Sequence, residues 1–228
     1  MAIALIVGAG SGLSASLARK LAAAGYSVVL AARDTAKLAG LADEIGAMTI
    51  ACDASTRHDV ETLFGAIDAT GDVLEVAIYN PSSRVRGPVT EVDPDEVHKA
   101  LQITAFGAFL VGQQAARRMQ PRGKGTILFT GASAGVKGYP QSASFAMGKF
   151  ALRGLAQSMA RELHPQGIHV GHIVIDGAIR NPGRTEPADK PDSMLDPEAI
   201  AESYMQLIAQ PRSTWAWEIE LRPWVEKF

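Results

Sequence analysis

The chain has 228 residues, 47% of them hydrophobic and 20% charged, with a formal net charge of −2. That length and apolar share can build a full core without disulfide or metal staples. The scattered Lys and Arg exclude a basic nucleic-acid stripe, and there is no acidic tail. The single cysteine, Cys52, cannot form an intrachain disulfide and fits a reducing compartment. No apolar run approaches membrane-spanning length, so the expectation is a cytoplasmic protein that binds neither nucleic acid nor membrane.

In chain order, short apolar runs alternate with longer amphipathic stretches. Ala2–Val7 reads as a strand ending in glycines, followed by a helix from about Gly12 to Ala24. Gly25-Tyr26 turns the chain into the strand Ser27–Ala31. A helix near Asp34–Ile45, a strand at Ala47–Cys52, a helix near Thr56–Thr70 and a strand at Val73–Tyr79 follow. Asp93-Pro94 supplies an N-cap and a first helical residue for one long helix running to about Met119. Thr126–Thr130 is a strand, Ser142–His164 a long helix and Ile168–Ile175 a strand. The Pro-rich stretch at about 181–197 is the one extended loop, expected to be a mobile flap over a site. Asp196 then caps a helix over Pro197–Ala209. Trp215, Trp217, Ile219 and Leu221 alternate with Ala216, Glu218 and Glu220, the period of a last strand. Seven strands with intervening helices predict a single α/β domain over residues 1–228. Its core is a doubly wound parallel sheet of Rossmann type with helices on both faces.

The loop Val7-Gly8-Ala9-Gly10-Ser11-Gly12-Leu13 joins the first strand to the first helix. Gly8, Gly10 and Gly12 permit a tight turn there, and the N–H groups of Ser11, Gly12 and Leu13 can approach a pyrophosphate at the helix N-terminus. Beyond the second strand stands Arg33-Asp34. At that point of a dinucleotide fold an acid would bind the ribose 2′-hydroxyl and an arginine a 2′-phosphate. Because Arg33 comes first, NADP is expected ahead of NAD, with the alternative that Arg33 is solvated and Asp34 caps the next helix. His58, His98, His164, His169 and His172 are too dispersed for a metal motif, and no metal is expected.

Taken together, these features resemble the short-chain dehydrogenase/reductase family, in order along essentially the whole chain. The family's Thr-Gly-x-x-x-Gly-x-Gly pattern is matched by Gly8 and Gly12, with Val7 and Ser14 in place of the threonine and last glycine. Asp53 matches the family's adenine-contacting aspartate, Asn80 is what remains of an Asn-Asn-Ala-Gly motif, and Asp176-Gly177 stands for a Pro-Gly pair. The family's Tyr-x-x-x-Lys pair appears as Phe145-Ala146-Met147-Gly148-Lys149, on one helix face but with no phenolic proton. The substrate-orienting serine falls on Ala132, with Ser133 adjacent, and the helical asparagine on Thr104.

The resemblance implies an NAD(P)-dependent oxidoreductase acting on a small molecule, with Lys149 holding the nicotinamide ribose through its ammonium donors. Losing a general acid typically costs 10²–10⁴ in rate. Ser133 is the expected substrate hydrogen-bond donor, against the alternative of a loop serine making local bonds. Tyr139 is either a surrogate acid or a pocket wall. Tyr79 ends its strand at the sheet edge where ligands bind in such folds, and Tyr204 lies on the helix after the flap. Reduction of an activated C=C bond suits a site without the tyrosine, because water can protonate the resulting enolate; the other reading is a non-catalytic NAD(P)-binding sensor. The family's habits imply a homodimer or homotetramer through the helices at about 94–119 and 142–164. The strand from Trp215 and the tail Trp224–Phe228 would add to such an interface.

Overall fold

Apolar runs of four to eight residues, too short for helices and punctuated by glycine turns, become parallel strands when helices cover both faces. In a computed structural model describing residues 1–226, seven of them form one sheet. The strands are β1 (Ala2–Val7), β2 (Ser27–Ala32), β3 (Met48–Ala51), β4 (Val73–Tyr79), β5 (Gly125–Thr130), β6 (Ile168–Ile175) and, last in the chain, β9 (Glu218–Leu221). Their order is β3-β2-β1-β4-β5-β6-β9, and every pairing is parallel. Phe228, read from sequence as part of an interface, lies outside the described residues.

Alternation along the strands sorts the core into two layers. Ile3, Leu5 and Val7 of β1 face a cluster with α3 (Arg57–Ala69), α5 (Gly107–Met119) and α6 (Ala143–Leu163). Ala4 and Ile6 face the opposite cluster, with α1 (Leu13–Ala23) and α7 (Pro197–Ala209). The sheet is thus doubly wound, and its order reverses between β1 and β4. That reversal opens a crevice beyond the carboxyl ends of those two strands, where ligands bind in open α/β sheets.

Several elements differ from the sequence expectation, each for a local reason. The helix expected from Asp34 begins with a tight 3₁₀ turn at Ala36–Leu38 before α2 (Ala39–Ile45). Asp34 accepts a hydrogen bond from the Ala36 N–H at 3.2 Å and pairs with Lys37 at 3.1 Å, so it caps this turn. The long helix expected over 94–119 is α4 (Pro94–Leu101), a π-helical turn at Gln102–Phe106, and α5. Within that turn the Ile103 carbonyl accepts the Tyr79 hydroxyl, and Thr104 is carried into the interior. Inserted groups of this kind are how an α-helical ladder widens.

The last strand starts three residues later than its apolar alternation suggests. Pro211 and a 3₁₀ turn at Arg212–Thr214 precede it, and Trp215 is drawn aside to stack on His169, ring centroids 4.8 Å apart. The segment expected to be a mobile flap at about 181–197 is anchored at its ends. Its ends form a two-stranded parallel ladder of β7 (Ala178–Ile179) with β8 (Met194–Leu195). Arg180 pairs with Asp196 at 2.5 Å, and Glu186 accepts the Met194 N–H at 3.0 Å.

Candidate active site

The crevice opens into a cavity of about 1020 Å³. The loop after β1, the segments after β4, β5 and β6, and the first turns of α6 form its walls. Of the residues singled out from sequence, Gly12, Leu13, Asn80, Ser133, Tyr139, Phe145, Lys149 and Gly177 line it. Gly8, Gly10, Ser11, Arg33 and Asp53 are not among the lining residues; the first three lie in the loop after β1, Arg33 just after β2 and Asp53 just after β3.

The glycine loop is held from below. Gly8 has φ +79°, and a Cβ there would sit 2.7 Å from Pro81 Cγ, so only glycine fits. The Ala31 carbonyl accepts the N–H groups of both Gly8 and Ala9, at 2.9 and 3.0 Å. These two donors are therefore committed to the fold. Among the described residues, no acceptor takes the N–H groups of Gly10, Ser11 or Gly12, which stand at the start of α1. Space beside Gly10 is open to at least 4 Å. Free donors, a helix N-terminus and an open approach make a receptor for a phosphate group.

Asn80 plays a part that the sequence did not disclose. Its Nδ2 donates to Ser14 Oγ at 2.7 Å, and Ser14 Oγ donates to the Gly8 carbonyl at 3.1 Å. Ser14, at the position of the family's last glycine, is thus the link by which β4 braces the glycine loop. At the adenine end, Asp53 Oδ1 accepts the Ser55 hydroxyl at 2.6 Å and the Ser55 N–H at 3.0 Å. These bonds, joined by the nearby charge of Arg33, hold its carboxyl below the usual carboxylate range. Arg33 is exposed, with its head free to reach a ribose substituent.

On α6, Lys149 is 2% exposed and its Nζ donates to the Thr130 carbonyl at 2.7 Å. Burial, with the charge of Arg84 adding to it, pulls this lysine from an ordinary value of 10.5 down to about 7. One N–H donor is used on Thr130, and among the described residues no other acceptor takes the rest. Phe145 lies one turn earlier on the same face, its ring centroid 5.8 Å from Lys149 Nζ. The Ser133 carbonyl accepts the Val136 and Lys137 N–H groups, so its backbone makes the local turn. The Ser133 hydroxyl makes no hydrogen bond among the described residues and is left to the cavity. Tyr139 is a half-exposed wall residue beside Lys137.

Of two tyrosines weighed from sequence, Tyr79 is corrected and Tyr204 lies on the helix after the flap as expected. Tyr79, expected at the ligand edge, is buried against the π-turn and donates to Ile103, and burial pushes its phenol up. Tyr204 is fully buried and hydrogen-bonded to Thr130 Oγ1 at 2.8 Å, with its phenol likewise raised by burial. Neither reaches the cavity. Thr104 accepts the Ser83 N–H at 3.0 Å and so shapes the loop after β4. Asp176, where the family has proline, is 5% exposed and pairs with Lys137 at 3.5 Å. His169 bonds the Ala216 carbonyl, and His172 lies 3.0 Å from Glu218; neither lines the cavity.

Sequence reasoning missed the arginines. Arg84, Arg86, Arg180 and Arg184 also line the cavity, and the Arg84 guanidinium lies 4.0 Å above the Phe145 ring centroid. The clue was available only as Arg84-Val85-Arg86 following a strand. What places the pair is Ser144, whose hydroxyl accepts the Val85 N–H and donates to the Val85 carbonyl, both at 3.0 Å.

A doubly wound sheet with a free-donor glycine loop at its switch point and a buried lysine across the crevice defines a dinucleotide-binding α/β protein. The model of the family described as short chain dehydrogenase matches residues 2–188. The chain belongs to that family, an NAD(P)-dependent class of oxidoreductases. A short-chain dehydrogenase from Rhodopseudomonas palustris, known from its crystal structure, is 37% identical, with a TM-score of 0.84 over 98% of this chain and 99% of that one. A metagenomic short-chain oxidoreductase crystallised with NADP is 26% identical, with a TM-score of 0.85 over 97% of this chain and 96% of its own. An uncharacterised oxidoreductase of Staphylococcus aureus (strain N315) is 26% identical over 227 residues, 97% of this chain and 96% of its own.

Proposed function

We propose that this protein binds NADP(H) in preference to NAD(H) and exchanges a hydride with a small carbonyl or enone substrate. The observation that carries the reading is the pairing of free Gly10, Ser11 and Gly12 donors at one end of the crevice with the buried Lys149 ammonium at the other. The 26%-identical relative crystallised with NADP supports the cofactor, and the exposed Arg33 beyond β2 supports the 2′-phosphate preference.

When bound, the nicotinamide supplies the hydride. The loop N–H groups and the α1 N-terminus would receive the pyrophosphate, Asp53 the adenine, Arg33 the 2′-phosphate and Lys149 the nicotinamide ribose. Gly177, at φ +150° with no room for a Cβ beside Pro223, lets the chain after β6 close over the crevice. Ser133 offers its hydroxyl to the substrate oxygen. Phe145 has no proton to give, so water or Tyr139 must supply it, and a conjugated C=C bond, whose enolate water can protonate, suits the site better than an isolated ketone. A homodimer fits the exposed Phe106, Phe109, Met147 and Phe150 on the helices at 94–119 and 142–164. The lone buried Cys52 fits a cytoplasmic setting, and no helix among the described residues is long and apolar enough to cross a membrane.

Calorimetric titration of cofactor-free protein with NADPH and NADH tests the proposal. Micromolar binding that favours NADPH, weakened at least tenfold by Arg33→Ala, is expected, followed by turnover on an enone. Binding without turnover on carbonyls or enones would make the protein a cofactor sensor, the role to which Phe145 otherwise points. Absence of binding by either nucleotide would refute both.

A further inference from the structure

The chain carries a net charge of −2, yet the walls of its main cavity hold four arginines and a lysine against two carboxylates, Asp176 and Glu226. One of these carboxylates and one arginine already have partners: Asp176 is paired with Lys137, and Arg180 with Asp196. Arg84, Arg86 and Arg184 pair with no carboxylate among the described residues. They are close enough that Arg86 and Arg184 both weigh against the charge on Arg84, as does its partial burial. Like charges converge on a cavity wall in this way at a cost that a bound anion removes.

Arg84 is also oriented. Its guanidinium rests on the Phe145 face at 4.0 Å, and Ser144 pins the neighbouring Val85 to the first turn of α6 through two 3.0 Å hydrogen bonds. A guanidinium laid on an aromatic face keeps its in-plane N–H edge free for a planar or tetrahedral oxyanion. The Lys149 ammonium, 5.8 Å from the same ring, marks the reacting end of the cavity.

We propose that the substrate is an anion, bearing a carboxylate or phosphate close to its reacting carbon, and that Arg84, seated on Phe145, is the residue that reads it, with Arg86 and Arg184 supplying the attracting field. Phe145 is then the platform of an anion receptor at the position where a proton donor was expected. This assignment deepens the oxidoreductase reading and takes from it only which end of the cavity faces the substrate.

The test is calorimetry on the full-length protein saturated with NADP⁺, using oxalate, inorganic phosphate and the neutral oxamide as probes. Oxalate or phosphate is expected to bind at one site per chain, more weakly as salt rises, and oxamide not at all; the tighter of the two anions identifies the group. Arg84→Ala should weaken that binding at least tenfold, and Phe145→Leu, which keeps the apolar volume but removes the aromatic face, severalfold. Equal binding by wild type and Arg84→Ala, or no anion binding, overturns the proposal. So does anion binding to the cofactor-free protein that NADP⁺ abolishes, which would place the anion on the cofactor's phosphate site. If the protein takes no cofactor, the same titration is run on the chain alone. Arg84-dependent oxalate or phosphate binding would then uphold the anion receptor while the oxidoreductase reading falls.

Discussion

Replacing Lys149 with methionine should stabilise the protein at neutral pH while impairing its cofactor site. The lysine is 2% exposed, and its pKa drops from 10.5 to about 7, chiefly through burial and then through the charge of Arg84. In the unfolded chain the amine stays protonated up to its ordinary value, whereas in the folded protein it loses its proton from about pH 7 upward. Across that window the unfolded state holds the extra proton, so this group lowers stability most at and below neutrality, and the loss shrinks as pH rises. At pH 7 the linkage amounts to about 4 kcal/mol, falling by about 1.4 kcal/mol per pH unit above it. Against this, methionine leaves the Thr130 carbonyl without the 2.7 Å donor it now has, a loss of about 2 kcal/mol for a buried acceptor. The variant should therefore be about 2 kcal/mol more stable than wild type at pH 7, with the advantage vanishing near pH 9. Urea unfolding of both proteins at intervals from pH 7 to 9.5 measures the difference directly, and pH effects common to both cancel. A stability difference that does not change with pH would refute the argument, because the lysine would then be as well solvated folded as unfolded.

Other perturbations separate framework from site. Tyr79→Phe removes the hydroxyl bonded to Ile103 and should cost about 1–2 kcal/mol in denaturant unfolding, with NADPH affinity unchanged; a loss of affinity would return Tyr79 to the ligand edge. Gly131→Ala would bring a Cβ to 2.4 Å from His172 Nε2 and 2.7 Å from the Ile173 carbonyl. It should destabilise by about 1–3 kcal/mol, and a neutral result would mean that β5 and β6 separate more easily than their packing implies. Phe106 and Phe109, 49% and 41% exposed with rings 6.2 Å apart, should bury themselves in a subunit contact. Sedimentation of wild type as a dimer, and of the Phe106→Ser/Phe109→Ser double variant as a monomer, is the expected result, and a monomeric wild type would contradict it.

Local chemistry was enough to place most of the framework. Strand runs bounded by glycine, the caps Asp93 and Asp196, and the spacing of Phe145 and Lys149 depend on neighbours within a few residues, so they are readable along the chain. The candidate cofactor loop was legible for the same reason, since a glycine cluster between a strand and a helix carries its own geometry. What the sequence could not fix depends on distant partners. The π-turn at Gln102–Phe106 is joined by a hydroxyl from β4, and the start of β9 by a ring stacked on His169. The tie between β7 and β8 brings together residues on either side of the expected flap. The charge of the cavity is the clearest case: along the chain Arg184 is about a hundred residues from Arg84 and Arg86, and only the fold brings the loop after β4 and the segment after β6 to one cavity, with Arg84 seated over Phe145. Sequence alone determined the strand–glycine loop–helix start at the sheet edge, because that geometry is local. Tertiary structure decided the field inside the cavity, because electrostatic potential sums over separations in space, and those are set by packing between elements far apart in the chain.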